Sequence, residues 1–442
     1  MAKSKQRTGI LLVMSLVLAV IVLAACAPSQ PATTTPATTT TTPKPGEFLP
    51  GVIKLGYAVP MTGPTASLTT QYAEGVLDAA EYVNSNGGVA GHKVEWVIVD
   101  TVYDMSKTLA GLKKLKEQDK CMVIGNIHSG VAIMIAQQND ALPKSEKVVL
   151  WISPNPAAEF NVPLQDNYTF TNYPSYFILY RDLVKYIKSD LWKGSGTPKI
   201  AYCIFDNATG QSMAKGADVA IKDAGWGEPV LRTWCEVSAT DVNTQMTKVK
   251  ETNPDFVIIG GTTGNNIAML KDAKRVGGLE NAIFLGIHDL AGNACIQATK
   301  PPLGLGDNVY TYNMVSNWTD SSEGVKIIKE VNGKLHPDIK TRDQSYMIFF
   351  PNGTMLCEGV ANAIDKVGYD KLDATAIRDG LEQIRSYDFH GMMSKVNIDK
   401  TNHNLVWGMQ IVKRSGDSFS PVTEWLTPAP YTAEQMTPAF WK

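Results

Sequence analysis

The chain has 442 residues, of which 44% are hydrophobic and 19% are charged, and its formal net charge is −2. This length allows about two or three domains, and the composition excludes a wholly disordered chain. A charge so close to zero gives no general attraction for nucleic acid, so we predict no nucleic-acid partner.

Residues 1–26 are predicted to be a secretory leader that is not part of the fold. Basic residues at the start precede an apolar run that ends at Cys26, as in a signal peptide. The last four residues, Leu-Ala-Ala-Cys, resemble a bacterial lipobox, whose cysteine becomes the lipidated N-terminus. The alternative is a transmembrane anchor with an incidental cysteine, but the run is short for the ~20 residues that a span needs. We therefore predict an extracytoplasmic protein that is lipid-anchored to the cell membrane through Cys26.

Residues 27–50 are predicted to be a tether, since they are almost wholly Pro, Thr, Ala, Ser and Gln. Such a composition favours extended, solvated chain. From residue 52 the pattern changes to short apolar runs that alternate with amphipathic segments, which is typical of parallel strands joined by crossover helices. The first predicted strand begins at residue 52, and the next three lie at 94–99, 121–125 and 148–152. The predicted helices lie at 68–85, 105–118 and 131–138.

A second series with nearly the same spacing follows residue 172, and it predicts a second lobe similar to the first. Its strands are predicted at 199–205, 230–237, 256–260 and 282–286. Helices are then predicted at 321–335, 345–366 and 374–384, before short strands of which 409–412 is the clearest. We expect the chain to cross between the lobes several times and so to form a hinge. The predicted lobes are 51–172 with 316–388, and 173–315 with 389–442.

Three segments together resemble a known family. They are Pro60-Met61-Thr62-Gly63-Pro64, Gly87-Gly88-Val89-Ala90-Gly91, and the strand with Gly125 that leads to Ser129-Gly130. They are similar to the extracellular solute-binding proteins that feed branched-chain amino acid ABC transporters, over about residues 50 to 415. The resemblance implies an α/β, type I periplasmic-binding-protein fold, with two doubly wound parallel-sheet lobes joined by a three-strand hinge. It also implies a monomer that closes on a small-molecule ligand, presents it to a membrane permease and is not an enzyme.

The resemblance implies that the loop after the third strand holds a ligand carboxylate. Ser129 and Gly130 stand at this place, where a hydroxyl and free backbone N–H groups at a helix N-terminus form an anion site. The alternative is that Ser129 only caps the helix. His128 beside it is either a ligand contact or a solvated loop residue.

The other ligand positions implied by the resemblance depart from the family pattern. In the loop after the fourth strand, Asn155 and Ala157 stand where relatives offer a carbonyl and a threonine. Thr209 and Thr262 stand where tyrosines are usual. His288 occupies the place of the acid that neutralises a ligand ammonium, with Asp289 one step later.

These departures bear on the ligand, because burying an ammonium without an acceptor costs several kcal/mol. Unless Asp289 or Asp206 substitutes for the acid, a carboxylate without an α-amino group is favoured, such as an aromatic or short organic acid, or else a neutral amide. A ligand-sensing receptor of the same fold is the alternative function, and the sequence leaves both open.

No other chemistry is indicated. The histidines have no metal-binding spacing and no nucleophile elbow is present, so we predict no metal, no cofactor and no catalysis. Cys203 and Cys235 are predicted on neighbouring strands. They could form a disulfide or remain two buried thiols, and the sequence does not decide between these alternatives.

Overall fold

A computed structural model of the chain describes residues 47–152, 167–432, 434, 435, 437 and 440. Cys26, Asn155 and Ala157 lie outside the described residues, as does the tether up to residue 46. The first strand begins at Leu49, within the range predicted as tether. None of the described helices is long and apolar enough to cross a membrane.

The first sheet is wholly parallel and has the order β2-β1-β3-β4-β5. Its strands are β1 (Leu49–Val59), β2 (His92–Asp100), β3 (Val123–Asn126), β4 (Val149–Ile152) and β5 (Thr169–Thr171). β3 and β4 are buried along their whole length, as expected for central strands that helices cover on both faces. β5 is also fully buried although it is the last strand of the sheet.

The helices alternate with the strands for most of the chain. Their ranges are α1 (Ala66–Ser85), α2 (Met105–Glu117), α3 (Ser129–Ala141), α4 (Tyr176–Tyr186), α5 (Ala208–Asp223), α6 (Asn243–Glu251), α7 (Thr263–Val276), α8 (Asn293–Ala298), α9 (Glu323–Leu335), α10 (Gln344–Val367) and α11 (Ala374–Leu381).

The second sheet has the order β12-β11-β10-β9-β8-β6-β7. Its strands are β6 (Ile200–Phe205), β7 (Leu231–Cys235), β8 (Phe256–Gly260), β9 (Ile283–Leu285), β10 (Val309–Asn313), β11 (Gln410–Ser415) and β12 (Ser418–Pro421). β6 to β10 pair in parallel, and β11 and β12 add an antiparallel edge. The predicted α/β fold class with two parallel-rich sheets is confirmed.

Helix α10, late in the chain, packs closely on α1, the first helix. The contact depends on glycine, because a Cβ at Gly75 would lie 2.9 Å from the carbonyl oxygen of Tyr346. On the same interface the rings of Tyr72 and Phe349 stack at 4.0 Å. The C-terminal helical block is thus part of the core around the first sheet.

Within the described residues, the chain passes between the two sheets after β5, after β10 and again after residue 405. The last passage is anchored to β5, since the amide of Leu405 donates to the Thr171 carbonyl at 2.7 Å and the amide of Thr171 donates to the His403 carbonyl at 2.9 Å. Residues 403–405 lie in the range predicted for the second lobe although they pair with the first sheet. The exact lobe boundaries stay a prediction.

The structure has elements that the sequence did not predict, namely β5, α4, α8 and β10. α4 is buried on almost every face, although its three charged residues, Arg181, Asp182 and Lys185, lie on one side of the helix. The five cysteines that the structure describes, at 121, 203, 235, 295 and 357, are all unpaired and buried. Cys203 and Cys235 are therefore thiols, the second of the two alternatives.

Candidate ligand-binding site

A cavity of ≈ 460 Å³, a volume that includes its open side, lies where the carboxyl ends of the two sheets face each other. This is where ligands bind in doubly wound proteins. Its aromatic walls are Tyr72, Tyr103, Tyr176 and Phe205. The polar side chains that line it are Thr65, Thr69, Ser129, Thr209, Thr262 and Asp289.

Two predicted residues meet across this cavity. Ser129 is the first residue of α3 and Thr209 lies in the first turn of α5, and their hydroxyl oxygens are 2.8 Å apart. Both side chains are buried, at 4% and 3% exposure. The hydrogen bond joins the first-sheet side directly to the second-sheet side.

Ser129 is not the cap of its helix. His128 is the N-cap of α3, and its Nδ1 accepts from the backbone N–H of Val131 at 3.4 Å. Burial lowers the pKa of His128, which favours the neutral ring that this acceptor role needs. The alternative interpretation of Ser129 as a simple cap is therefore wrong, and the hydroxyl of Ser129 is directed to the other side of the cavity.

The second-sheet hydroxyls are held at helix starts. α5 begins against the end of β6 so closely that a Cβ at Gly210 would lie 1.9 Å from the carbonyl oxygen of Phe205, and this contact fixes the position of Thr209. Thr262 caps α7: its Oγ1 accepts from the amide of Asn265 at 3.2 Å, and the Asn265 side chain accepts from the amide of Thr262 at 3.0 Å. The Thr262 hydroxyl is thus already in use as a cap.

Asp289 lies in a 3₁₀ turn after β9, between His288 and Ala291, and lines the cavity at 5% exposure. Burial, with a smaller contribution from the negative charge of Asp343, raises the pKa of Asp289 to about 7. Burial also lowers the pKa of His288 to about 3, so the neighbouring ring is neutral. His288 Nε2 is 3.3 Å from Asp289 Oδ1, yet neither atom makes a hydrogen bond within the described residues. The two side chains are therefore in contact, but their geometry does not allow a hydrogen bond between them.

The electrostatic character of the cavity is set by this one carboxyl group. No lysine or arginine is among the described residues that line it. Burial raises the pKa values of Tyr72 and Tyr176 well above 10, so these walls are uncharged. The site can therefore offer hydroxyl groups, aromatic surface and a single titratable acid to a small molecule.

The structure brings Ser129, Thr209, Thr262 and Asp289 together around one cavity, and their roles in binding stay predictions. His128, Gly130 and His288 are not in its lining. The other candidate acid, Asp206, is also absent from the lining. It is exposed and accepts from the side-chain amide of Gln211 at 3.1 Å.

The clearest residue that sequence reasoning missed is Tyr103. It follows β2 and stacks on His128 at 4.8 Å, and both it and Val102 have left-handed backbone, with φ of 59° and 54°. Asp100 holds this loop, since its carboxylate accepts from the amides of Met61 at 2.9 Å and Val102 at 3.0 Å. A left-handed β-branched residue is rare, so no local pattern could have predicted the loop.

Comparison with known proteins identifies the family. The model of the periplasmic binding protein family matches residues 52–417. Leu/Ile/Val-binding protein homolog 7 of Brucella melitensis biotype 1 is 26% identical over 258 residues, which cover 57% of this chain and 62% of that protein. The alignment thus spans less than two thirds of that relative. Leu/Ile/Val-binding protein BraC3 of Rhizobium johnstonii is 24% identical over 340 residues, 75% of this chain and 84% of that one.

Solved structures give the fold independently. A branched chain amino acid ABC transporter protein from Thermus thermophilus with bound valine has a TM-score of 0.71 at 18% identity, covering 86% of this chain and 97% of that one. A solute binding protein of an ABC transporter from R. palustris in complex with benzoate has a TM-score of 0.67 at 18% identity, covering 87% and 98%. These similarities show a type I periplasmic-binding-protein fold. Since the family model covers most of its length, the chain belongs to the periplasmic binding protein family.

Proposed function

We propose that this protein is the extracytoplasmic solute-binding component of an ABC importer, held at the membrane by a lipid on Cys26. The single observation that carries the proposal is the buried cavity between two sheets that are linked by crossing segments, with polar groups from both sides. Closure of two such halves around a ligand is a common form of hinge motion. The relatives named as Leu/Ile/Val-binding proteins support the same role.

The negative end of the ligand binds at Ser129. The first backbone N–H groups of α3 have no partner within the helix, and the helix dipole favours negative charge there. The Ser129 hydroxyl adds a donor inside the cavity. A carboxylate is the small anion that this arrangement fits.

The positive end binds at Asp289. The sequence favoured a ligand without an amine only on the condition that no other acid replaces the one missing from the family pattern. Asp289 can replace the missing acid, because it is the acidic residue of the lining and no lysine or arginine among the described lining residues neutralises it. The ligand we propose is a small amino acid with an apolar or amphipathic body.

A carboxylate without an amine is the second candidate, and the raised pKa of Asp289 is the observation in its favour. A protonated Asp289 donates a hydrogen bond and therefore tolerates a second acid. The aromatic walls would suit a benzoate-like ring.

The two ligand classes are separated by one variant. Leucine, valine, benzoate and phenylacetate are titrated calorimetrically into the soluble domain and into Asp289→Asn, with Asp206→Asn as the matched control. An amino acid should bind the wild type, raise its Tm by mass action, and lose at least about tenfold in affinity with Asp289→Asn, since hydrogen bonds to charged groups contribute about 1.5–3 kcal/mol. A ligand without an amine should bind Asp289→Asn as well as the wild type.

The site itself is tested by Ser129→Ala. Loss of a hydroxyl donor to a carboxylate should weaken either class of ligand several-fold. Unchanged affinity in Ser129→Ala would remove the proposed carboxylate site, and the absence of any bound amino acid or organic acid would contradict the binding function. The anchor is tested by Cys26→Ala, which should release the protein from membranes and abolish uptake of the ligand by cells.

A further inference from the structure

A second cavity, whose volume of ≈ 400 Å³ includes its open side, adjoins the first one at Asp289. Leu68 and Asp289 line both cavities. The second cavity also has walls from both sides of the cleft, since Gln71 belongs to α1 and Thr263 to α7. It is therefore a continuation of the proposed ligand site past Asp289.

Its charged groups are both acidic. Asp343 precedes α10 and is half-buried. Its hydrogen-bond donors among the described residues are neutral: the amide of Asn293 at 3.0 Å and the side chain of Gln71 at 3.3 Å. Asp289 presents an Oδ1 that has no hydrogen-bond partner within the described residues. No lysine or arginine is among the described lining residues.

A second, independent observation comes from His288. Its side chain lines this cavity at 1% exposure, and both ring nitrogens lack a hydrogen-bond partner among the described residues. A buried polar group left unsatisfied costs about 1–3 kcal/mol. A polar group placed in the cavity would satisfy the imidazole, and the ring is neutral, so it adds no positive charge.

We propose that the second cavity is a cation-binding compartment of the ligand site, which takes an amine or guanidinium group of the ligand between Asp343 and His288. The inference rests on the proposed function, because it extends the same ligand beyond Asp289. The ligand class that it names is a dibasic amino acid or a similarly charged small molecule, whose first amine contacts Asp289 from the first cavity.

Charge complementarity favours a cation over other groups. Asp289 and Asp343 repel each other when both are ionised, and a positive group between the two cavities removes that repulsion. An anion would add a third negative charge, and an apolar group would leave His288 and Asp289 unsatisfied. The compartment is open to water at Ser67 and Ala294, which are exposed, so a long side chain can extend into it.

The test uses ligand pairs that differ in charge and little else. Arginine is compared with citrulline, and lysine with norleucine, by calorimetric titration of the soluble domain, of Asp343→Asn and of the control Asp206→Asn. The cationic member of each pair should bind the wild type at least about tenfold more tightly, the scale of one charge-assisted hydrogen bond. Asp343→Asn should remove most of this ratio, and Asp206→Asn should keep it.

Equal affinities within each pair, or a ratio that survives in Asp343→Asn, would overturn the inference. So would a failure of all four probes to bind. These outcomes are separable from failure of the proposed function, which is decided by leucine, valine and benzoate with Ser129→Ala. A protein that binds leucine through Ser129 but shows no arginine–citrulline difference would keep the function and lose the second compartment.

Discussion

The two sides of the cleft differ in what they offer a ligand. The first-sheet side contributes hydroxyls, an aromatic wall and the start of α3, and carries no charged residue among the described lining residues of the main cavity. The second-sheet side contributes the charge of Asp289, together with Thr209 and Thr262 at helix starts. A ligand whose two ends bind as proposed would contact both sides, and such binding would favour closure.

The largest effect should come from disturbing the second-sheet side at Gly210. The Cβ of Gly210→Ala would lie 1.9 Å from the Phe205 carbonyl oxygen, so α5 must shift and carry Thr209 with it. We expect the free energy of unfolding to fall by about 1–3 kcal/mol, measured by urea denaturation, and ligand binding to weaken.

The matched control is Gly264→Ala in α7, where the nearest atom is the Thr262 hydroxyl at 3.7 Å. There alanine should stabilise the helix by up to about 1 kcal/mol. If both variants behave alike, the close approach of α5 to β6 does not position the second-sheet side.

The next largest effect is a pH dependence of ligand affinity, which arises from the second-sheet side only. Ionised Asp289 is the form that accepts an ammonium, and burial and Asp343 raise its pKa to about 7. The affinity for an amino acid should therefore rise with pH and level off above about 7, falling by about tenfold for each unit below it. His288 stays neutral in this window because its pKa is about 3.

Calorimetry between about pH 5 and 8 measures this profile, and Asp289→Asn should flatten it. A ligand without an amine should show the opposite slope, because protonated Asp289 is then the binding form. A flat profile in the wild type would mean that Asp289 does not face the charged end of the ligand.

A smaller effect is expected on the first-sheet side, at the loop that carries Tyr103. Asp100→Ala removes the acceptor that holds Met61, Thr62 and Val102. Burial raises the pKa of Asp100, but hydrogen bonds from Thr62, Val102 and Met61 together lower it, so the carboxylate is ionised and accepts fully at neutral pH. We expect a loss of about 1 kcal/mol in the free energy of unfolding, and a few-fold weaker binding because Tyr103 loses its position.

Thr62→Val is the graded comparison for this loop, since it removes only the bond from Thr62 Oγ1 to Asp100, which is 2.7 Å long. Its effect on the free energy of unfolding should be smaller than that of Asp100→Ala. Both variants are compared by denaturation and ligand titration. A larger loss of stability or affinity in Thr62→Val than in Asp100→Ala would contradict the prediction.

Much of the fold could be predicted from the sequence because its signals are local. The apolar stripe of α1 predicted residues 68–85, and the helix is Ala66–Ser85. β8 was predicted at 256–260, where it lies. α4 was not predicted, although Arg181, Asp182 and Lys185 form a narrow charged stripe on it, and β5 is only three residues long.

The candidate site was predictable in part for the same reason. A resemblance pointed to Ser129 and Thr209 separately, but their 2.8 Å hydrogen bond depends on how the two sheets meet. The role of His128 as a cap depends on a backbone angle at one residue. The raised pKa of Asp289 and the second cavity depend on which distant segments surround the turn after β9, and no single segment of the sequence shows this.

The hydroxyl pair of Ser129 and Thr209 has a consequence for selectivity. Either hydroxyl can be the donor of their 2.8 Å bond, so the bond uses one O–H group and leaves the other O–H group free. A carboxylate that accepts from the O–H already in use replaces one hydrogen bond with another and gains only the difference, which for exchanged hydrogen bonds is on the order of 1 kcal/mol. Oδ1 of Asp289 has no hydrogen-bond partner among the described residues, so a ligand that reaches it displaces no existing bond. We therefore expect Asp289, rather than the hydroxyl pair, to discriminate among solutes.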